Sequence, residues 1–151
     1  MSYSGQVIDI LLVEDNPGDA KLVQKAFELG KLANRIWHVP DGERALQFLH
    51  HEGEFAEAPR PDIILLDLNM PGIDGREVLS HIKNSPDLMT IPVIIMTTSS
   101  AEQDILESYK LHVNCYITKP VQVQDFITVV KTIDEFWIGV VKLPRHATSD
   151  S

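Results

Sequence analysis

The chain reads as an α/β protein, a parallel sheet of five strands with helices on both faces. Three observations lead there. Short apolar runs rich in Ile, Val and Leu alternate along the chain with stretches of helical spacing, five of each, the pattern of right-handed strand–helix–strand crossovers. Two of those runs, Ile63 to Leu66 and Ile91 to Met96, are apolar almost without interruption, as strands covered on both faces are. Four of the five runs also end on a polar cluster: Glu14-Asp15, Asp67, Thr97-Thr98 and Thr118-Lys119. An open parallel sheet binds ligands at the carboxyl ends of its strands, so these clusters are expected to converge on one site.

In order, Val7 to Val13 is the first strand and Asn16-Pro17-Gly18 a turn. A helix is expected from Asp19 to Leu29, with Ala20, Leu22, Val23, Ala26 and Phe27 on one side and Gly30 as its stop. Arg35 to Val39 is less apolar and is placed nearer a sheet edge. Asp41 caps a helix carrying Ala45, Leu46, Phe48 and Leu49, with His50-His51 continuing along it. His50 to Arg60 is polar and acidic, with Gly53 and Pro59, and reads as a surface loop or frayed helix end.

The central strand begins after Pro61 and ends on Asp67, before Pro71-Gly72. Asp74 is expected to cap a helix through Val78, Leu79 and Ile82, broken by Asn84-Ser85-Pro86. Ile91 to Met96 is the fourth strand, about 101 to 110 the fourth helix, and Val113 to Ile117 the fifth strand. An amphipathic helix from about 123 to 137 completes the set. Asp9, Asp41, Asp62 and Asp74 read as strand-start, capping or turn residues, and Cys115 as core filler.

At 151 residues the chain suits one domain with a full hydrophobic core. A net charge of −9 with no basic patch argues against nucleic-acid binding. One cysteine makes no internal disulfide, and neither a signal peptide nor an apolar run of about 20 residues is present. A cytoplasmic protein without membrane contact is expected.

Clustered carboxylates repel unless protonated or neutralised by a cation. A hard divalent ion with oxygen ligands is the natural partner, Mg²⁺ (or Mn²⁺) where phosphates are handled. Lys119 adds an ammonium and Thr97 a hydroxyl. Together these are the groups that hold the oxygens of a transferring phosphoryl group, with a carboxylate as nucleophile. Asp67, alone at the end of the central strand, is the candidate nucleophile.

Glu14-Asp15, Asp67, Thr97 and Lys119-Pro120, in this order and at separations of 30 and 22 residues from Asp67 to Thr97 to Lys119, resemble the receiver domain of two-component response regulators. The resemblance covers about 7 to 137, leaving 138 to 151 as a C-terminal extension. It implies a flavodoxin-like (CheY-like) sheet of order 2-1-3-4-5. It implies Asp67 as phosphoacceptor for a sensor histidine kinase and a metal held by Asp15, Asp67 and the backbone carbonyl of Asn69, with Glu14 acting through water. Lys119 would bind the phosphate, Thr97 would be the switch hydroxyl, Tyr116 the aromatic that follows it, and Lys119-Pro120 a cis peptide. Glu14 stands where aspartate is commoner, Thr98 replaces a smaller residue beside the phosphate, and the Asp15–Asp67 interval is longer than usual.

The Leu111 to Tyr116 run and the Phe136-Trp137 ending resemble small single-domain regulators of cyanobacterial phytochrome histidine kinases. Phe136, Trp137, Ile138, Val140, Val141 and Leu143 form an apolar tail, expected to pair two copies into a homodimer. With nothing after Ser151, output is expected through protein contacts or phosphate relay rather than catalysis. Two other readings are a Mg²⁺-dependent phosphatase, in which Asn69 would stand where a general acid is needed, and a degenerate receiver serving only as a scaffold.

Overall fold

The computed structural model describes residues 7–29, 34–68, 75–97 and 115–118. Five strands, β1 (Ile8–Val13), β2 (Asn34–Val39), β3 (Ile63–Asp67), β4 (Val93–Thr97) and β5 (Cys115–Thr118), pair in parallel in the order β2-β1-β3-β4-β5. Three helices, α1 (Pro17–Leu29), α2 (Gly42–Leu49) and α3 (Gly75–Lys83), are interleaved with them. The expected helices at 101–110 and 123–137, and the tail beyond, lie outside the described residues. No helix among the described residues is long and apolar enough to cross a membrane.

The central strands are buried along their whole length because alternate side chains enter two separate cores. Ile10, Leu12, Ile63, Leu65, Ile94, Met96 and Ile117 meet Ala20, Val23 and Phe27 of α1 on one face. Leu11, Val13, Ile64, Leu66, Val93 and Ile95 meet Ala45, Phe48 and Leu49 of α2 and Val78, Leu79 and Ile82 of α3 on the other. A period of two along each strand, covered on both sides, produces the unbroken apolar runs. Full burial of each such side chain contributes about 1.5–3 kcal/mol, so the sheet is the rigid part on which the strand ends are mounted.

Several details depart from the sequence expectations. Helix α1 begins at Pro17, not Asp19. Asn16 is the cap, its Oδ1 accepting the Asp19 amide at 3.0 Å, and proline suits the first helical position because its missing N–H has no partner there. Asp41 caps α2 as expected, accepting the Arg44 amide. That helix stops at Leu49, so His50 and His51 do not continue it: His50 is its C-cap and His51 has a positive φ of 58°. The stretch after it is no plain loop, since it contains the 3₁₀ turn Gly53–Phe55 and sets Phe55 against Phe48 with ring centroids 5.4 Å apart. Strand β4 starts at Val93, two residues later than expected, and β5 extends to Thr118.

Asp9 also differs. It stands at the start of β1, as its second residue, but it is buried there rather than solvated. Its carboxylate accepts from Arg35 Nε at 2.9 Å and Trp37 Nε1 at 3.0 Å on β2, while its amide donates to Asp62 at 2.8 Å. A buried carboxylate is tolerated when so engaged.

Lys83, at the end of α3, is half-buried, and burial lowers its pKa from the usual lysine value. At neutral pH the ammonium is charged in the folded and unfolded states alike, so its desolvation opposes folding. Towards pH 10.5 the folded side chain loses its proton first, the unfolded state binds more protons, and stability rises with pH. Lys83→Met is therefore expected to raise the melting temperature at pH 7, with the advantage shrinking in melts taken towards pH 10.

Candidate functional site

The register of the three central strands brings the acidic residues level. Val13 pairs with Leu66 and Asp67 with Met96, so Glu14, Asp67 and Thr97 emerge at the same rim. The chain is locked there by backbone bonds from the Glu14 amide to the Val39 carbonyl (3.1 Å) and from the Leu68 amide to the Met96 carbonyl (2.9 Å). Glu14, Asp67 and Thr97 are fully buried and Asp15 is exposed. One carboxylate oxygen from each of Glu14, Asp15 and Asp67 lies within 4.8 Å of the others. Among the described residues this is the only group of three or more His, Cys, Asp or Glu side chains placed to share an ion.

Such a donor set fits a hard divalent cation. Anionic oxygens attract it, one exposed carboxylate leaves a route from solvent, and the absence of sulfur or imidazole from the triad disfavours softer metals. Two fully buried carboxylates at this separation are costly without positive charge nearby. Glu14, Asp15 and Asp67 thus come together, and Thr97 lies at the end of the neighbouring strand β4. Tyr116 is half-buried on β5, opposite Ile95 and packed against the face that carries α2 and α3. Asn69, Thr98, Lys119, Pro120, Phe136, Trp137, Ile138 and Val141 lie outside the described residues.

Three residues that the sequence reading passed over support this rim. The Asn16 amide donates to Glu14 Oε2 at 3.1 Å while its side chain caps α1. That cap aims the positive end of the helix dipole at the carboxylates. His38 Nε2 lies 2.7 Å from the Glu14 carbonyl oxygen. A carbonyl only accepts, so this nitrogen carries the proton. Gly75 is the third: a Cβ there would fall 2.6 Å from Leu68 Cα and closer still to the Asp67 carbonyl oxygen. An Asn-Pro pair entering a helix was a legible signal for Asn16; nothing local marks the other two. Asn16→Ala is expected to cost about 1 kcal/mol of stability and to weaken divalent-cation binding, both readable from melts with and without Mg²⁺.

Parallel strands carrying a carboxylate triad and a buried hydroxyl at their carboxyl ends define a phosphoacceptor switch of the receiver type. A family model for the response regulator receiver domain matches residues 10–131, and the chain belongs to that family, a signalling family. It is 47% identical over 135 residues to the response regulator Rcp1 of Synechocystis sp., covering 89% of this chain and 92% of Rcp1. The crystal structure of Mn²⁺-bound Rcp1 matches with a TM-score of 0.74 at 46% identity, covering 88% of this chain and 96% of that one. The phosphorylated cyanobacterial phytochrome response regulator RcpA matches at 50% identity and TM-score 0.74, with 87% and 94% covered. The probable methanogenesis regulatory protein FilR2 of Methanothrix harundinacea is 43% identical over 157 residues, covering 97% of this chain and all of FilR2.

Proposed function

We propose that this response regulator accepts a phosphoryl group on Asp67 from the phosphohistidine of a sensor histidine kinase, and that the kinase is of the phytochrome type. The observation that carries the reading is the meeting of Glu14, Asp15 and Asp67 within 4.8 Å at the end of the central strand. An Asp67 carboxylate oxygen attacks phosphorus, the P–N bond breaks, and the imidazole leaves with the electron pair and takes up a proton. Asp15, Asp67 and the Asn69 carbonyl, with Glu14 acting through water, would hold Mg²⁺ or Mn²⁺, which would supply charge neutralisation for the phosphoryl oxygens.

Lys119 and Thr97 are the proposed donors to those oxygens, and Thr98 is proposed to shield the phosphate from water. Phosphorylation adds about −1.5 to −2 charges at one point. Thr97 moves to meet them, and Tyr116 follows into the space it leaves, a shift between two packings. With Asn69 rather than an acid two positions beyond Asp67, no group there protonates a leaving alcohol, so transfer rather than phosphoester turnover is supported. The proposed setting is the cytoplasm, with output made through protein contacts or phosphate relay.

Similarity to the phytochrome response regulator RcpA supports a phytochrome as the phosphate donor, while similarity to FilR2 supports a histidine kinase of another input. Incubation with each kind of phosphorylated kinase and Mg²⁺, read on a phosphate-affinity gel, separates the two: transfer within seconds from the cognate kinase only. The tail carrying Phe136, Trp137, Ile138 and Val141 pairs two copies into a homodimer. Truncation after Asp134 is expected to sediment as a monomer where the full chain sediments as a dimer; a dimer retained by the truncated chain puts the interface elsewhere.

A further inference from the structure

Two imidazoles from different helices meet at the rim of the sheet opposite Asp67. Helices that follow strands in a parallel sheet start at the carboxyl rim and run back, so α2 and α3 both end at the far side. His50 closes α2, its amide donating to the Leu46 carbonyl at 2.9 Å, and His81 lies in the last turn of α3. Their Nε2 atoms are 2.7 Å apart, with ring centroids 4.9 Å apart and planes at 86°. The centroid separation is close to the nitrogen separation plus two ring radii, so the nitrogens face each other nearly end-on. Both side chains are exposed. The left-handed backbone of His51 turns the chain out of the helix there, and His50 and His51 line a cavity of about 260 Å³ with Pro61, just upstream of β3.

Two facing ring nitrogens need something positive between them. A proton on one nitrogen serves, and so does a metal ion. Both helices present their C-terminal, partially negative ends at this point, which favours added positive charge. Paired neutral imidazoles suit borderline d-block cations rather than the hard ions preferred by carboxylates. A metal at about 2.0–2.1 Å from each nitrogen requires the rings to swing until their lone pairs converge, and exposed side chains have room to do so.

We propose that His50 and His81 form a two-histidine site for a borderline divalent transition-metal ion such as Zn²⁺ or Cu²⁺, which clamps the end of α2 to the end of α3. It is separate from the carboxylate triad in position and in ligand chemistry. Among the described residues no third His, Cys, Asp or Glu completes the group, so solvent fills the other positions and the ion exchanges freely.

The test uses the full chain with one equivalent of Cu²⁺ in excess Mg²⁺, read by electron paramagnetic resonance, together with calorimetric Zn²⁺ titration. The expected spectrum shows coupling to two imidazole nitrogens. That coupling disappears in His50→Ala and in His81→Ala, each with at least tenfold weaker Zn²⁺ binding, and persists in His51→Ala and Asp67→Asn. Melting temperatures without metal confirm that both exposed positions tolerate alanine. Two-nitrogen coupling retained in His81→Ala, loss of binding in His51→Ala alone, or coordination through oxygen only would each overturn the proposal.

Discussion

Asp67→Asn is expected to reduce phosphoryl uptake below detection while leaving the fold intact and, without metal, more stable. The amide keeps the shape of the side chain but is no nucleophile, so transfer stops at the first step. The gain in stability follows from the burial of Glu14 and Asp67 together with no solvent to screen them. Two like charges within 4.8 Å repel by roughly 3–4 kcal/mol at an effective dielectric of about 20, and the interactions that Asp67 itself makes offset part of this. A net gain of about 1–2 kcal/mol is expected in apo melts. Millimolar Mg²⁺ should then raise the melting temperature of the parent and leave that of the variant nearly unchanged, since one ligand and one charge are gone. A variant that melts lower without metal would show that Asp67 is held by attraction rather than crowded by repulsion.

Gly75→Ala is expected to damage stability and chemistry together, although the residue carries no reactive group. The first residue of α3 sits against the backbone of Asp67 and Leu68, and its amide donates to the Leu68 carbonyl at 3.3 Å. A methyl group cannot fit against those backbone atoms, and backbone yields less readily than a side chain. Overpacking of this kind costs about 1–3 kcal/mol or more. Here the strand end itself must shift, carrying the Asp67 carboxylate away from Glu14 and Asp15. Denaturant melts should show the destabilisation, and Mg²⁺ affinity measured by Trp fluorescence should fall at least tenfold. Gly18→Ala is the milder comparison: its Cβ would meet only Asn16 Oδ1, at 3.2 Å, so the strain falls on the α1 cap and leaves the β3 backbone where it is. Equal losses in both variants would contradict the close-approach explanation.

How much of this was legible beforehand depended on whether the controlling contact is local. Strand β3 and its terminal carboxylate were readable because burial on both faces leaves an apolar run that no amphipathic helix would have. The meeting of Glu14, Asp15 and Asp67 was legible because β1 and β3 both run out into carboxylates at the same end. The start of α1 was misread because Asn16-Pro17-Gly18 carries turn residues as well as a helix entry, and only the Asn16 side chain bond decides between them. The burial of Asp9 was not legible, because a strand-start aspartate is usually solvated. Its tolerance rests on Arg35 and Trp37 of β2, a cross-strand register that one sequence does not display. Gly75 and the His50–His81 pair belong to the same class. Their roles come from groups brought close by folding, which spacing along the chain does not reveal.

The central claim is that the carboxylate at the end of β3 becomes the acyl phosphate. The most direct measurement treats the protein with acetyl phosphate and Mg²⁺, reduces the product with borohydride, and maps the resulting homoserine by mass spectrometry. Homoserine at position 67, dependent on Mg²⁺, is the predicted result. Homoserine at another carboxylate, or an unreduced Asp67 in protein that carries phosphate, would contradict it.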